Sequence, residues 1–276
     1  MSSNTESSPF KDKIVLVTGA SSGMGKSAAL YLAQKGVRAI TLMARTQEKL
    51  EEVAAEIATT YPNVKTLVLA GDASKDEDNK VAVARTVDQF GGITGAFINA
   101  GIYRGGKPIE ETDDAAINET LDVNVKGVLY ALRHLIPAIK ATVGDDVADP
   151  SGSIVVNSSC MAEAIVAPKS AGSSIYSASK AFVNSIVETA AIENAPRIRV
   201  NGVMPGVVRT GLISGADDAT YDNIGAALQP LWGRAGKPEE ISSLVAYLLG
   251  DEASFISGAN IMADGLWSKS GGGMGG

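Results

Sequence analysis

The sequence predicts a doubly wound α/β fold, in which a parallel sheet of seven strands is covered by helices on both faces. Short apolar runs of strand length alternate with helical patterns from one end of the chain to the other. This alternation is typical of a parallel sheet that is buried on both sides. The chain has 276 residues, of which 30 are glycine. That length fits one α/β domain with a large core, and the glycines suit many tight turns.

Seven apolar segments are predicted to be strands. Each is rich in valine, isoleucine or leucine and is bounded by glycine, proline or charged residues. Such runs are too short for helices and too apolar for surface loops. The predicted strands cover residues 13–19, 37–45, 64–72, 95–101, 153–159, 197–206 and 258–265.

Helical patterns with recognisable start and stop signals separate these strands. Gly36 is a stop signal for the first helix, and Thr46 is a suitable N-cap for the second. Ser74 and Glu77 have the spacing of a capping box, and Pro238 suits the first turn of the last helix. Helices are predicted at 25–36, 46–62, 74–90, 113–142, from about 176 to 194 and at 237–251, with a loop and a short helix in 210–235.

The two ends of the chain are predicted to be flexible. Residues 1–10 are mostly polar, and residues 268–276 are mostly glycine and serine, which leaves 11–267 as a single domain. The first twelve residues lack both the apolar centre of a signal peptide and the arginines of a transit peptide. We therefore expect a soluble, cytoplasmic protein.

The net charge argues against two classes of partner. The chain carries a formal charge of −7 at pH 7. A protein that binds nucleic acid or an anionic membrane needs a positive field, and the lysines and arginines here are scattered. We expect neither nucleic acid nor a membrane as a partner, and a small molecule as the substrate.

The rarest reactive residues exclude other chemistries. Cys160 is the single cysteine, so an intrachain disulfide and a cysteine-rich metal site are impossible. His134 is the single histidine, and it falls on the polar side of the 113–142 helix, opposite the apolar stripe. We expect a surface histidine and an inert, buried thiol. Hydrolases of the Ser–His–Asp type and metal enzymes are accordingly disfavoured.

Strand one leads into a glycine-bearing turn, "TGASSGMGKS", that opens a helix. Backbone N–H groups and the helix dipole at such a turn favour a bound phosphate. In a dinucleotide site, Gly19 would allow the bend, Gly23 would admit the pyrophosphate and Gly25 would let helix and strand pack closely. A nucleotide triphosphatase loop with Lys26 and Ser27 is one glycine short of its pattern. A turn with a purely structural role also fits.

The end of strand two favours one dinucleotide over another. A dinucleotide site carries a carboxylate there for a free ribose 2′-hydroxyl, or a cation for a 2′-phosphate. This chain offers Arg45, followed by Thr46. A guanidinium at this place predicts NADP(H) rather than NAD(H), although Arg45 could instead cap the start of a solvated helix.

Four tyrosines precede a lysine by four residues, and one of these pairs suits catalysis. Pro62 or two glycines interrupt two of the pairs, so neither would form a regular helical turn. A third lies at the far end of the first helix, toward the amino edge of the sheet, whereas ligands bind at the carboxyl edge. Tyr176 and Lys180 begin the helix after strand five, on one face of it. The other pairs are Tyr31–Lys35, Tyr61–Lys65 and Tyr103–Lys107.

Several motifs in one order resemble the short-chain dehydrogenase/reductase family. The similarity extends from Lys11 to Trp267, nearly the whole chain, and it implies a Rossmann-like single domain. An ordered set of motifs is far more specific than any one of them. The matching segments are "TGASSGMG" (18–25), "INAG" (98–101), "NSS" (157–159), "YSASK" (176–180), "MPGVVRT" (204–210) and "GRAGKPEEI…SGANIMADG".

The resemblance implies a set of cofactor-binding residues along the carboxyl edge of the sheet. Asp72 and Ala73 would flank the adenine, residues 99–101 would support the cofactor, and Val208 and Thr210 would face the nicotinamide. The full set implied is Gly19, Ser21, Ser22, Gly23, Met24, Gly25, Arg45, Thr46, Asp72, Ala73, Asn99, Ala100, Gly101, Tyr176, Lys180, Pro205, Gly206, Val208 and Thr210.

The resemblance also implies four catalytic residues. Tyr176 would exchange a proton with the substrate, and the Lys180 ammonium would lower the phenol pKa from its ordinary value near 10 while Lys180 also holds the nicotinamide ribose. Ser159 would hydrogen-bond the substrate oxygen, with Ser158 as an alternative donor. Asn124 would hold a water that relays protons to Lys180, or would simply bend its helix.

These expectations combine into one functional hypothesis, with two alternatives. We expect hydride transfer between NADP(H) and a ketone or secondary alcohol, as in a carbonyl reductase or alcohol dehydrogenase. NAD(H) stays possible because residue 22 is serine, where many NADP-preferring relatives carry a basic residue. The family implies a homotetramer or homodimer packed through residues 113–142 and 176–194. The alternatives are a nucleotide triphosphatase using Lys26, Ser27 and Asp72, and a catalytically silent dinucleotide sensor.

Overall fold

Seven parallel strands form the centre of the protein. The computed structural model describes residues 8–144, 152–163, 172–213, 215–229 and 231–269. The strands are β1 (Ile14–Thr18), β2 (Ala39–Ala44), β3 (Lys65–Ala70), β4 (Gly95–Ile98), β5 (Gly152–Asn157), β6 (Ile198–Pro205) and β7 (Asn260–Ala263).

In the part of the chain that the structure describes, eight α-helices connect and cover the strands. They are α1 (Gly23–Gln34), α2 (Gln47–Thr60), α3 (Asp76–Phe90), α4 (Asp114–Leu121), α5 (Gly127–Val143), α6 (Ser174–Asn194), α7 (Asp218–Leu228) and α8 (Pro238–Leu249). Each strand of the sheet is predicted correctly to within a few residues, because uninterrupted apolar runs suit strands that are covered on both faces.

The strand order is β3-β2-β1-β4-β5-β6-β7, and every neighbouring pair is parallel. The order reverses between β1 and β4, where Val15 pairs with Ile40 on one side and with Gly95 on the other. In an open α/β sheet, ligands bind in the crevice at the carboxyl ends of the strands beside such a reversal. The predicted doubly wound fold is confirmed, and its topology places a ligand crevice at the ends of β1 and β4.

Two apolar cores hold the helices to the sheet, one on each face. Leu32 of α1, Leu50 of α2 and Val245 of α8 pack in the first core. Leu135 of α5 and Val183 of α6 pack in the second, and all five side chains are essentially inaccessible to solvent. Burying a side chain of this size stabilises the fold by about 1.5–3 kcal/mol. The crevice is therefore built on rigid elements.

The structure differs from the predicted elements in three places. The helix predicted at 113–142 contains a π-helical segment, Asp122–Lys126, between α4 and α5. The capping box predicted at Ser74 does not form, because α3 begins at Asp76 and the Ser74 N–H instead donates to the Asp72 carboxylate at 2.9 Å. Phe10, assigned from sequence to the flexible first segment, is buried in the first core.

Within the described ranges, no helix is both long and apolar enough to span a bilayer.

Residues 268 and 269, at the start of the predicted flexible tail, belong to a short 3-10 turn. The rest of that tail, 270–276, and residues 1–7 lie outside the described residues.

Candidate active site

The turn between β1 and α1 has a backbone that requires glycine. Gly19 and Gly23 have φ of +66° and +51°, in the left-handed region that other residues avoid. A Cβ at Gly25 would collide with the Gly19 carbonyl oxygen and would lie 2.6 Å from the Asn99 side-chain nitrogen. Ser22 occupies the N-cap position of α1, next to Ser21 in the turn. The turn thus leaves bare backbone and the N–H groups of a helix start facing the crevice, which suits a pyrophosphate.

Lys26 and Ser27, the residues that a triphosphatase would use, are engaged elsewhere. The Lys26 ammonium forms an ion pair with Glu56 of α2 at 2.8 Å. Ser27 is buried, and its hydroxyl is hydrogen-bonded to the Ser242 hydroxyl of α8 at 2.8 Å. Met24 packs against the first core. The side chains that would hold a triphosphate and its metal are therefore used in packing α1 against its neighbours.

Arg45 lies where the sequence placed it, directly after β2. It is exposed, as is Thr46, which occupies the N-cap position of α2 without a side-chain capping bond. Arg45 makes no hydrogen bond or ion pair with the residues that the structure describes. The alternative that Arg45 caps α2 is therefore not supported, and its guanidinium is available to a ligand in the crevice.

Asp72 and Ala73 follow β3 in a turn that is fixed by local bonds. The Asp72 N–H donates to the Asp78 carboxylate at 2.7 Å. The Ala73 carbonyl accepts from Asn79 at 2.9 Å and lies so close to Gly127 that a Cβ there would be 2.9 Å away. These contacts hold the turn at the same edge of the sheet as Arg45.

A chain of hydrogen bonds connects the glycine turn to Lys180. The Asn99 side chain donates to the Thr18 carbonyl at 3.1 Å, and the Asn157 side chain donates to Asn99 at 3.1 Å. The Lys180 ammonium donates to the Asn157 carbonyl at 2.7 Å. The Ala100 N–H donates to the Thr18 hydroxyl at 3.0 Å. Thr18 and Asn157 were not among the residues predicted for the site, although each is the first residue of a matched motif.

Asn124 lies in the π-helical segment and is completely buried. Its side-chain oxygen accepts from the Ile102 N–H, and its side-chain nitrogen donates to the Ile102 carbonyl and to the Ser179 hydroxyl, at 2.9–3.1 Å. A Cβ at Gly101 would lie 3.4 Å from the Asn124 oxygen and 3.5 Å from the Lys180 nitrogen. Asn124 therefore reaches the vicinity of Lys180, and its role in holding a water stays a prediction.

The two serines that follow β5 face different partners. The Ser159 hydroxyl accepts from the Met161 N–H at 3.2 Å, and it lies near enough to the Tyr176 phenol to lower the pKa of that phenol. The Ser158 hydroxyl is turned to α6, where it donates to Asn184 at 2.6 Å and lies 3.2 Å from the Lys180 carbonyl. This geometry favours Ser159 over Ser158 as the group that contacts a substrate oxygen beside Tyr176.

Tyr176 and Lys180 lie together in the first two turns of α6. The lysine nitrogen is 5.8 Å from the centre of the tyrosine ring, and both residues are buried, with 7 % and 3 % of their surface exposed. Burial raises the pKa of Tyr176 to about 12, against a lowering by the Ser159 hydrogen bond, and burial lowers the pKa of Lys180 to about 8. The Tyr176 pKa therefore lies above its ordinary value in the protein alone, opposite to the expected direction, because burial disfavours the charged phenolate.

Tyr103 is a site residue that the sequence reasoning set aside. It was rejected as the partner of Lys107, yet its ring packs edge-on against the Tyr176 ring, with centroids 5.1 Å apart and planes at 78°. Burial raises the Tyr103 pKa. Its position directly after the "INAG" motif, at the carboxyl edge, is the signal that could have identified it.

The segment after β6 returns the chain to the glycine turn. Pro205 ends β6, and Gly206 packs so closely on Asp264 that a Cβ would lie 2.9 Å from its backbone. The Val208 side chain is buried in the first core, so only its backbone could reach a ligand. Thr210 lies against Gly23, where a Cβ would meet it at 3.0 Å. Residues 164–171 of the long interval before Tyr176 lie outside the described residues.

The remaining reactive residues are structural. His134 is half-buried and hydrogen-bonds the Asp76 carboxylate at the start of α3, at 2.9 Å. This contact, together with a second one from Arg133, lowers the Asp76 pKa. Cys160 is fully buried, and burial raises the pKa of its thiol. A thiol that stays protonated is unreactive.

The comparisons with known proteins identify the family of this chain. A family model described as enoyl-(acyl carrier protein) reductase, which is one of the short-chain dehydrogenase/reductase models, matches residues 19–266. The chain is similar to a cyclohexanol dehydrogenase of Acinetobacter sp. (strain SE19), with 35% identity over 95% of this chain and 98% of that protein.

Two solved structures share the fold over almost its full length. One is a short-chain type dehydrogenase/reductase from Mycobacterium marinum, with 31% identity, a TM-score of 0.85 and coverage of 94% of this chain and 97% of that one. The other is a 3-ketoacyl-(acyl-carrier-protein) reductase from Brucella melitensis complexed with NADH, with 28% identity, a TM-score of 0.80 and coverage of 94% and 99%. The bare glycine turn and the buried tyrosine and lysine fit a nicotinamide dinucleotide, and this chain belongs to the short-chain dehydrogenase/reductase family of oxidoreductases.

Proposed function

We propose that this protein transfers a hydride between NADP(H) and a ketone or secondary alcohol. The observation that carries the proposal is the meeting of Ser159, Tyr176 and Lys180 at the carboxyl edge of the sheet, beside the glycine turn. The similarity to a cyclohexanol dehydrogenase supports a secondary alcohol as one form of the substrate. When bound, the nicotinamide supplies or accepts the hydride, and the remaining steps belong to the protein.

Ser159 and Tyr176 are proposed to hold the substrate oxygen. The Ser159 hydroxyl lies near the Tyr176 phenol, so a substrate oxygen bound beside both groups would accept a hydrogen bond from each. During reduction the oxygen becomes an alkoxide, and Tyr176 gives it the phenol proton. With its pKa raised to about 12, the phenol carries that proton throughout the neutral range. It is therefore in the correct form to act as the acid.

Lys180 is proposed to stabilise the phenolate that this proton transfer leaves behind. Its pKa of about 8 leaves it mostly charged at pH 7, and an ammonium one helical turn from the phenol favours the negative form. The 2.7 Å bond to the Asn157 carbonyl fixes the lysine nitrogen. Asn157 thereby acts as a positioning residue.

Arg45 is proposed to bind the 2′-phosphate of NADP(H). The guanidinium is exposed at the end of β2 and has no described partner, so it can offer a bidentate contact to a phosphate. NAD(H) is the competing cofactor, since Ser22 is uncharged and one structural neighbour is complexed with NADH.

A titration of protein fluorescence with NADPH, NADH and ATP tests the cofactor. We expect NADPH to bind more tightly than NADH, and ATP to bind weakly. Arg45→Ala should weaken NADPH binding by about 1–3 kcal/mol, the free energy of a charged hydrogen bond, and should leave NADH binding nearly unchanged.

Arg85→Ala is the matched control, because it removes the same charge from an exposed position on α3. Equal losses of affinity for NADPH and NADH in Arg45→Ala would refute the NADP(H) assignment. Tight ATP binding without a response to NADPH would refute the reductase itself. Normal NADPH binding without turnover of any ketone would favour the silent sensor.

A further inference from the structure

Tyr176 belongs to a small apolar cluster that is separate from the two main cores. Cys160, Met161 and Trp267 are its buried members besides Tyr176. Four partly buried apolar side chains pack against these members, so the surroundings of the Tyr176 ring are mostly apolar. They are Tyr103, Val207, Leu228 and Met262.

Tyr103 forms a corner with Tyr176. The two rings meet at 78° with centroids 5.1 Å apart, a favourable edge-to-face arrangement. Gly105 holds the far side of the Tyr103 ring, since a Cβ there would lie 2.6 Å from its Cε1 and would overlap its hydroxyl. Two nearly perpendicular aromatic rings, one of them carrying the reactive phenol, thus present flat apolar surfaces to a substrate.

The cations on the same loop offer no surplus charge to a substrate. Arg104 donates to the Glu119 carboxylate at 2.7 Å, and Lys107 is paired with Asp113 at 3.2 Å. An anionic substrate would have to compete with Glu119 and Asp113 for these cations. The loop is therefore better suited to a neutral molecule.

This corner discriminates among neutral ketones by shape and polarity. A compact apolar ring can touch both aromatic rings without losing internal rotations. An acyclic chain of the same size loses rotamer freedom when it is held there. A polyhydroxylated substrate would leave hydroxyl groups against apolar surface without hydrogen bonds, which is costly.

We infer that Tyr103 is a specificity-determining residue, whose ring, supported by Gly105, selects neutral carbocyclic ketones and alcohols over acyclic and polyhydroxylated ones. This inference rests on the proposed function and specifies the substrate class of the same site.

The test is the kcat/KM for NADPH-dependent reduction of cyclohexanone, 2-hexanone and dihydroxyacetone. We expect the wild-type protein to prefer cyclohexanone over the other two. Tyr103→Ala should lower the ratio of cyclohexanone to 2-hexanone by about two- to tenfold, the range expected for one aromatic contact, mainly through a higher KM. Tyr103→Phe keeps the ring and should keep the ratio.

Gly105→Ala moves the Tyr103 ring without removing it, so it should lower the same ratio. In the Tyr103→Ala background, adding Gly105→Ala should not change the ratio further, because the Tyr103 ring that Gly105→Ala would displace is already absent. Tyr130→Ala is the control, since it removes a partly buried tyrosine ring from α5.

Two failures can be distinguished. If the wild-type protein binds NADPH but reduces none of the three ketones, the proposed function fails, and the inference fails with it. If the wild-type protein reduces them, but Tyr103→Ala keeps the ratio or lowers all three kcat/KM values by one factor, the assignment of Tyr103 alone is overturned.

Discussion

Lys180 places a titratable amine, 3 % exposed, one helical turn from a buried phenol. Its one described hydrogen-bond acceptor is the Asn157 carbonyl. Burial alone moves its pKa from 10.5 to about 8. At neutral pH the folded protein therefore keeps a buried ammonium beside Tyr176. Burying this charge lowers the stability of the folded state.

This cost predicts a pH dependence of stability. Between pH 8 and 10.5 the unfolded chain keeps the Lys180 proton that the folded protein has lost, so the free energy of unfolding rises with pH. The contribution of Lys180 should grow by about 3 kcal/mol across this window. Denaturant unfolding of wild type and Lys180→Met at pH 7, 8, 9 and 10 measures it.

The comparison of wild type with Lys180→Met isolates the contribution of Lys180, because both proteins carry the same other titratable groups. We expect the free energy of unfolding of the wild-type protein to increase relative to that of the variant as the pH rises. A difference that stays constant from pH 7 to 10 would show that Lys180 is not desolvated as described.

At the scale of residues, the sequence predicted which groups meet but not their surroundings. Tyr176 and Lys180 were identified because they lie one helical turn apart at the start of the helix after strand five, and Ser159 because it belongs to the "NSS" motif at the end of that strand. The direction of the Tyr176 pKa was predicted wrongly, since spacing does not reveal how deeply a side chain is buried. Tyr103 was missed because its contact depends on the path of a loop.

At the scale of elements, the turn from β1 to α1 is fixed by close packing. Gly25 lies in the first turn of α1, directly against the Gly19 carbonyl oxygen and the side-chain nitrogen of Asn99, which follows β4. This packing brings the N-terminus of α1 to the crevice. No side chain larger than a hydrogen fits there without moving backbone.

Gly25→Ala should therefore reduce both stability and cofactor binding. We expect a loss of about 1–3 kcal/mol in the free energy of unfolding, as for other overpacked sites, together with weaker NADPH binding. Gly211→Ala is the control, because a Cβ there meets nothing within 4 Å. Thermal unfolding and NADPH titration of both variants provide the measurement, and equal behaviour of the two would contradict the close packing described.

Helices and strands were predictable where local signals and tertiary packing agree. The strands follow from uninterrupted apolar runs. The start of α3 was placed two residues early, because Ser74 donates its N–H to Asp72 instead of capping the helix. The π-helical segment around Asn124 was not predicted. Asn124 hydrogen-bonds Ile102 and Ser179, which lie far from it in sequence, and a local sequence pattern does not reveal such contacts.

At the scale of the whole molecule, helix α6 leaves apolar side chains on the outside. Phe182 and Ile192 are 37 % and 80 % exposed, on the helix that also carries Tyr176. Exposed apolar surface of this kind is common at interfaces between subunits. We propose a homodimer or homotetramer in which α6 takes part.

Light scattering coupled to gel filtration tests the assembly. The wild-type protein should show two or four times the mass of 28.4 kDa, and Ile192→Glu should shift the population to smaller species because it places a charge in the interface. Glu252→Lys is the control. Lys140→Glu is unsuitable for this purpose, because Lys140 lies on α5, which was also predicted to be in the interface. A wild-type monomer would contradict the proposal.

The sequence predicts the architecture of the molecule better than its substrate. Alternating strands and helices can close in few ways, so seven strands and one glycine turn define both the sheet order and the ligand edge. The proposed determinant of substrate choice lies on a loop, the one that carries Tyr103. Their paths are set by packing between distant segments rather than by local pattern.

The most direct test of the account is the Tyr176→Phe variant, measured for NADPH-dependent reduction of cyclohexanone and for NADPH binding. The variant keeps the ring that packs on Tyr103 and loses the one proton that the mechanism transfers. We expect kcat/KM to fall by at least about 100-fold, the contribution of a positioned acid, with the Kd for NADPH within about threefold of wild type. Turnover close to that of the wild-type protein would contradict the role given to the phenol.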